Sequence, residues 1–121
     1  MIKDADCLLK TIIYINHDIP FEFNFKKERE MVFEKIVDSL RSALSYHNYE
    51  YQMIPNYISS DTITIFKLNG DSDSWRKDIK HILDNMHNVD IYDRENDSVE
   101  EYDNINYMIE FNCVEIFSIT E

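Results

Sequence analysis

Glycine is nearly absent from this sequence, in which Gly70 is the only one among 121 residues. Loops that bind phosphate groups need several glycines, because glycine lets the backbone amides come close to the anion. The sequence therefore excludes the P-loop and dinucleotide-binding classes of enzyme. Asparagine, in contrast, occurs eleven times. We expect it to take some of the left-handed turn positions that glycine usually occupies.

Cysteine is also scarce, and the two cysteines, Cys7 and Cys113, stand too far apart in the sequence to indicate a metal-binding motif. They fit a reducing compartment, and a disulfide between them is the less favoured alternative. Cys113 shares the parity of its apolar neighbours. We therefore expect a small, buried hydrophobic side chain there and not a reactive thiol.

Long hydrophobic runs are missing as well, since no apolar run approaches the roughly 18 residues that are needed to cross a bilayer. Asp4 and Asp6 lie where a signal peptide would carry only positive charge. These features predict a soluble, cytoplasmic protein with no membrane partner. Two prolines and one glycine leave little room for a linker, so we expect residues 1–121 to form a single domain.

Basic residues are the last class in short supply, with 12 Lys and Arg against 24 Asp and Glu, a net charge of −12. Residues 1–60 hold nine acids and seven bases, a net of −2, whereas residues 61–121 hold 15 acids and five bases, a net of −10. Such a field repels nucleic acid and anionic membranes and attracts basic protein surfaces. The charge therefore favours a protein partner with a basic surface and disfavours direct binding of nucleic acid.

Hydrophobic patterning predicts the elements of the first half of the chain. Residues 8–16 are rich in β-branched and aromatic side chains and read as a strand. Residues 19–25 alternate apolar and polar side chains, which predicts a second strand, and the turn residues at 16–18 indicate a hairpin between the two. From residue 26 to about residue 48 the apolar spacing becomes helical, with Asn24 as the N-cap.

The second half begins with an irregular connection over residues 49–61, which is followed by a short buried strand at 62–68. Ser72 or Asp73 is predicted to cap a second helix that ends near Asn88, where a short strand begins. Residues 105–119 keep their apolar side chains on one parity over a length that is unusual for one strand. This pattern favours two strands, or one strand with a bulge.

Together these elements predict an α+β fold, with a single antiparallel or mixed sheet of about five or six strands and two helices packed on one face, in the order β-β-α-β-α-β-β. The opposite face of the sheet should be partly exposed, and exposed aromatic faces commonly bind partners. The candidates for this face are Tyr14, Tyr57, Tyr102 and Met108.

Catalytic and metal-binding patterns are weak. Asp78, His81 and Asp84 follow one another at three-residue steps on the second helix, a spacing that could hold a cation. They lie away from the apolar stripe of that helix, however, which is more typical of a solvated helix surface. His17 reads as a turn residue and His47 as the edge of the first helix. The sequence therefore predicts no catalytic, cofactor-binding or metal-binding residue and no enzymatic activity.

The acidic stretch from Asp90 to Asp103 holds seven carboxylates and one arginine in 14 residues. One interpretation is a solvated loop between two strands. The other is a negatively charged ridge whose carboxylates are spaced comparably to the phosphates of DNA, with two tyrosines as apolar anchors. The residues predicted to contact a partner are Asp90, Asp93, Glu95, Asp97, Glu100, Glu101 and Asp103, together with Tyr92 and Tyr102.

The charge and the size of the chain together favour a small acidic inhibitor that blocks a basic, nucleic-acid-handling protein by mimicking nucleic-acid charge. Anti-restriction and anti-CRISPR phage proteins, and immunity proteins against nuclease toxins, are of this class. The alternative is a structural or assembly protein that forms homo-oligomers through its sheet face or an edge strand, as the alternating residues 105–119 suggest. The first hypothesis requires the carboxylates of the C-terminal half to form one negative patch.

Overall fold

The computed structural model describes residues 7–68, 72–93 and 97–115 of the chain. These residues form two α-helices, six strands and a one-turn 3-10 helix at Phe23–Phe25. In chain order the main elements are β1 (Cys7–Asn16), α1 (Lys26–Tyr46), β2 (Gln52–Pro55), β3 (Thr62–Leu68), α2 (Ser72–Asp84), β4 (Val89–Asp93), β5 (Ser98–Tyr102) and β6 (Asn106–Glu115).

Four of the strands form an antiparallel sheet in the order β2-β3-β1-β6. With its two helices, this sheet has the β-α-β-β-α-β connectivity of the ferredoxin-like, or split βαβ, arrangement. β4 and β5 pair with each other in a separate two-stranded sheet, which is inserted between α2 and the last strand. The predicted α+β class is therefore confirmed, whereas the predicted single sheet of five or six strands is only partly matched.

The core lies between the helices and one face of the four-stranded sheet. In the centre of this face Ile13 of β1 pairs with Ile63 of β3, and both side chains are fully buried. The face is covered by buried side chains of α1, such as Leu40, and of α2, such as Trp75 and Ile79. Burying a large apolar side chain stabilises a fold by about 1.5–3 kcal/mol, so this face supplies most of the driving force for folding.

Asparagine does fill left-handed turn positions, as its abundance predicted. α1 ends in a Schellman motif, in which Asn48 has a φ of 60°, its N–H bonds to the carbonyl of Ser45, and the N–H of Tyr49 bonds to the carbonyl of Leu44. The other non-glycine residues with positive φ in the described ranges are Asn56, Asp61, Asp97 and Asn104. Asn and Asp tolerate this conformation better than other residues because their short polar side chains bond locally.

The predicted second strand over residues 19–25 is wrong. This segment is an irregular connection that ends in the 3-10 turn, and Phe21 and Phe23 are 69% and 85% exposed. The reason is that both sides of β1 are already paired, with β3 and β6, which leaves no place for a hairpin partner. Asn24 is not the helix cap either; the cap position is taken by Phe25, which makes no side-chain capping bond.

Four further features differ from the prediction after α1. The connection 49–61 contains the short strand β2, and α2 ends at Asp84, before Asn88. Ser72 and Asp73 lie within α2, so neither caps it. The sequence predicts two strands or a bulge over residues 105–119, but β6 pairs with β1 in one unbroken register from Asn106 to Glu115. The last part of that stretch lies outside the described residues.

Cys113 differs from its expected state, since it is exposed and takes part in a disulfide bond. In the β1–β6 ladder the backbone of Cys113 stands opposite that of Leu9, and the backbone of Cys7 stands opposite that of Glu115. The side chain therefore does not act as the small buried hydrophobic group that its parity suggested. Separately, in the part of the chain that the structure describes, neither helix is both long and apolar enough to cross a membrane.

Candidate functional site

The acidic stretch is largely a β-hairpin and not an irregular loop, because β4 and β5 pair over five residues each. Cross-strand partners share a face, and successive residues alternate between the two faces. On the inner face Val89 is buried, and Ile91 and Tyr102 are half-buried against the core. On the other face Asp90 stands opposite Glu101. This outward face is the candidate site.

Three carboxylates form what we call the acidic cluster, namely Asp90, Glu101 and Asp103, and all three residues are exposed. A side-chain hydrogen bond with Asp103 raises the pKa of Glu101, and the negative charges of Asp103 and then Asp90 raise it further. A carboxyl group gives up its proton less readily beside other carboxylates, because like charges repel. The fold therefore holds three negative groups together on one face despite their mutual repulsion.

An exposed apolar pair lies next to the acidic cluster on the same face. Tyr92 is 53% exposed, and its cross-strand partner Val99 is 62% exposed. The Tyr92 hydroxyl donates a 2.6 Å hydrogen bond to Oδ1 of Asp97, and this bond, with a smaller effect of burial, raises the pKa of Tyr92. The outward face thus combines exposed aromatic surface with negative charge.

Glu100 and Tyr102 belong to the inner side of the hairpin, so the predicted single ridge is divided between two faces. The Tyr102 hydroxyl donates to Glu100 at 2.8 Å and also lies 3.5 Å from Glu28 of α1. Burial, followed by the hydrogen bond with Glu100 and the charge of Glu28, raises the pKa of Tyr102. Tyr102 therefore joins the hairpin to α1 and is not an exposed anchor.

Of the remaining predicted partner-binding residues, the structure describes the side chain of Asp97, which directly precedes β5. Asp97 is exposed, and it accepts the hydrogen bond from Tyr92 that is described above. The predictions for Glu95 and for the side chain of Asp93 lie outside the described residues.

A pocket of about 350 Å³ extends the acidic surface towards the first half of the chain. It lies between the connection from β1 to α1 and the connection from β5 to β6. Its carboxylates are Asp18, Glu28, Glu101 and Asp103, and its apolar wall is made by Ile19, Pro20, Phe25 and Ile105. The contribution of Asp18 and Glu28 could not be predicted from the sequence, because they lie about 70 residues from the hairpin in the chain.

No lysine or arginine among the described residues forms an ion pair with the acidic cluster. The ion pairs that the structure does contain lie elsewhere, such as Lys26 with Glu30 at 3.9 Å within α1. The imidazoles of His17 and His47 pair with Asp61 and Asp78 and not with the hairpin. The negative charge of the outward face is therefore not neutralised within this part of the chain.

The weak metal pattern on α2 does not form a site. Within residues 7–68, 72–93 and 97–115, no group of three or more His, Cys, Asp or Glu side chains is arranged to hold a metal ion. Asp78 accepts a hydrogen bond from the Tyr49 hydroxyl, and His81 lies beside Asn85 on its own helix. These side chains therefore have local structural partners.

The face of the four-stranded sheet opposite the helices carries most of the residues that were expected there. Tyr14 is half-buried on β1, and its cross-strand neighbour Met108 on β6 is 60% exposed. The ring of Tyr57 packs edge-on against Phe66, with ring centres 6.2 Å apart, so the β2–β3 loop folds back over this face. Tyr102 does not belong to it, since it lies on the hairpin.

No protein-family model matches the chain, and neither a curated protein nor a solved structure matches it.

Proposed function

We propose that this chain is a small acidic inhibitor that binds a basic, nucleic-acid-handling protein through the outward face of the β4–β5 hairpin. The observation that carries the proposal is the acidic cluster of Asp90, Glu101 and Asp103, which no described base neutralises and which lies beside the exposed pair Tyr92 and Val99. Negative charge supplies attraction to a basic surface. Exposed aromatic surface supplies the anchoring contacts that interfaces need.

The spacing of the cluster suits a groove that normally holds nucleic acid. Cross-strand neighbours such as Asp90 and Glu101 have Cβ atoms about 4.5–5.5 Å apart, and residues two apart on a strand about 6.6–6.8 Å. DNA presents one phosphate per about 3.4 Å of axial rise on each strand. A lysine- and arginine-lined groove could therefore pair with these carboxylates in place of phosphates, as in anti-restriction, anti-CRISPR or nuclease-immunity proteins.

The acidic pocket would widen this contact. Asp18 and Glu28 bring further negative charge from the first half of the chain to the same end of the domain. The interface would then include the start of α1 as well as the hairpin. Because the charge there is largely exposed, we expect binding to weaken steeply as salt is added.

The test uses a panel of purified DNA-cleaving enzymes and nuclease toxins, with cleavage of a labelled duplex as the readout. The hairpin variant is the triple substitution Asp90→Asn, Glu101→Gln and Asp103→Asn. The matched control neutralises three exposed carboxylates elsewhere, Glu34→Gln, Asp38→Asn and Glu50→Gln, and so changes the net charge equally.

We expect a bound enzyme to be inhibited less as salt rises, and the hairpin variant to inhibit it about tenfold less than wild type, which corresponds to about 1.4 kcal/mol. The control variant should keep nearly full inhibition. Equal losses in the two variants would show that net charge alone is responsible, and unchanged inhibition by the hairpin variant would refute the proposed surface.

A further inference from the structure

The two edges of the four-stranded sheet are built differently. β2, at one edge, is only four residues long and ends in Pro55, which has no N–H to offer a new strand. β6, at the other edge, is ten residues long and contains no proline, glycine, lysine or arginine. It also has no bulge, since its register with β1 is unbroken. Natural edge strands are usually protected by a short length, a proline, a lysine or a bulge, because an unpaired edge is a template for another strand.

The apolar side chains of β6 are only partly covered by the rest of the described chain. Tyr107, Ile109 and Phe111 are half-buried on the helix side, and Met108 is exposed on the opposite side. The guanidinium of Arg76 lies 5.4 Å from the centre of the Phe111 ring, and so covers only part of it. β6 therefore leaves apolar side chains on its helix side only partly covered, at a position where no described strand pairs with its outer side.

We propose that two copies of the chain pair antiparallel through β6, so that their sheets join into one of eight strands. The occupant is a second copy because a two-fold axis brings two identical antiparallel strands together, and each then satisfies the free backbone groups of the other. This axis must be perpendicular to the sheet, so it pairs residues of equal parity and keeps the helices of both copies on the same side.

The charges on β6 select the register. If the axis passes through residue 110, Glu110 stands opposite Glu110 of the second copy, and like charges directly opposite are destabilising. If it passes through Phe111, the two Phe111 rings meet at the axis and each Glu110 stands opposite Asn112 of the other copy. That register pairs residues 107–115 of the two copies. A register centred on Ile109 or Asn112 would pair fewer residues of β6. The geometry therefore places Phe111 at the centre of the interface.

The dimer and the proposed inhibitor function predict opposite effects of salt. Each copy carries a net charge of −12, so two copies repel each other and added salt should strengthen their pairing. Binding of a basic partner to the hairpin should weaken as salt rises. Failure of one proposal therefore leaves the other intact.

The test is sedimentation equilibrium of the full chain from about 1 μM to about 1 mM, at low and high salt. Asn112 is exposed, and its cross-strand partner within the chain is Lys10, so the Tm of each charged variant is measured beside its dimerisation. In the Phe111-centred register, Asn112→Lys places a lysine opposite Glu110 twice, and Asn112→Glu places a carboxylate there twice. The matched controls are Gln52→Lys and Gln52→Glu, at an exposed position on the opposite edge.

We expect a dimer whose dissociation constant falls about fivefold in Asn112→Lys and rises about fivefold in Asn112→Glu, with much smaller changes in the Gln52 variants. A chain that is monomeric at every concentration and salt level would overturn the proposal. A dimer in which the Gln52 variants shift as far as the Asn112 variants would overturn the β6 interface.

Discussion

The hydrogen bond between Trp75 and Thr11 gives the sharpest test of how α2 is held on the sheet. The indole Nε1–H of Trp75 donates to Oγ1 of Thr11 at 2.9 Å, and both residues are only 1% exposed. Thr11→Val keeps the shape of the side chain but removes the acceptor. A buried donor without a partner costs about 1–3 kcal/mol, and the new methyl group recovers part of this. We therefore expect a net loss of about 1.5 kcal/mol in the free energy of unfolding.

Urea denaturation measures this loss directly, because Trp75 is the only tryptophan and its fluorescence reports on the site itself. A loss of about 1.5 kcal/mol should lower the urea midpoint by about 1 M. A double-mutant cycle is completed with Trp75→Phe and the double variant, and it is followed by circular dichroism because these two variants have no tryptophan. The coupling energy should be about 1 kcal/mol, since each single change leaves the other group unpaired.

The same substitution on the neighbouring strand supplies the control. Thr64 is fully buried, and its Oγ1 makes no hydrogen bond with any described residue. Thr64→Val removes an unpaired buried hydroxyl, so we expect it to leave stability unchanged or to raise it by up to about 1 kcal/mol. If Thr11→Val costs no more than Thr64→Val, the Trp75–Thr11 bond does not contribute to stability and the reasoning is refuted.

Three further predictions concern ionisation and the end of α1. Because the pKa of Glu101 is raised from its ordinary value of 4.5, the contribution of Glu101 to stability falls as pH rises above that value. Glu101→Gln should therefore raise Tm at about pH 7, and this gain should shrink towards about pH 4. A gain that does not depend on pH would contradict the repulsion between the carboxylates. Tyr107 donates a 2.6 Å hydrogen bond to the carbonyl of Met86, and burial raises its pKa to about 12. Tyr107→Phe should therefore cost about 1 kcal/mol at neutral pH in urea titrations, and the deficit should narrow as pH rises from about 10, where the unfolded tyrosine ionises. Asn48→Gly should raise the free energy of unfolding by up to about 1 kcal/mol. Asn48→Val should lower it by about 1–2 kcal/mol, because a β-branched residue resists a φ of 60°. Equal effects of the two substitutions would exclude the Schellman turn as the cause.

The elements that could be predicted from the sequence are those whose signal is local. The apolar spacing of α1 places Ile36, Leu40 and Leu44 on one side, and all three are fully buried. The false strand at residues 19–25 has an equally clear local pattern. It fails because strand formation depends on a free partner, and the pairing of β1 with both β3 and β6 is set by distant parts of the chain.

The candidate site could be predicted in composition but not in shape. The acidic residues were identified from their density in the sequence. Their division between two faces depends on the register that sets Asp90 opposite Glu101, which the density of acidic residues does not indicate. The pocket cannot be predicted for another reason, since only the folded chain brings Asp18 of the β1–α1 connection and Glu28 of α1 beside the hairpin.

The hairpin face is not explained by the needs of folding. Only its inner side joins the core, through Val89, Ile91 and Tyr102. Its outward side leaves Tyr92 and Val99 exposed and holds Glu101 near two other carboxylates, which is unfavourable at neutral pH. A sequence selected for stability alone would replace the apolar pair with polar residues and separate the charges. Features that oppose stability and that the fold keeps together on one face are expected where a protein meets its partner, which is why we propose this face as the binding surface.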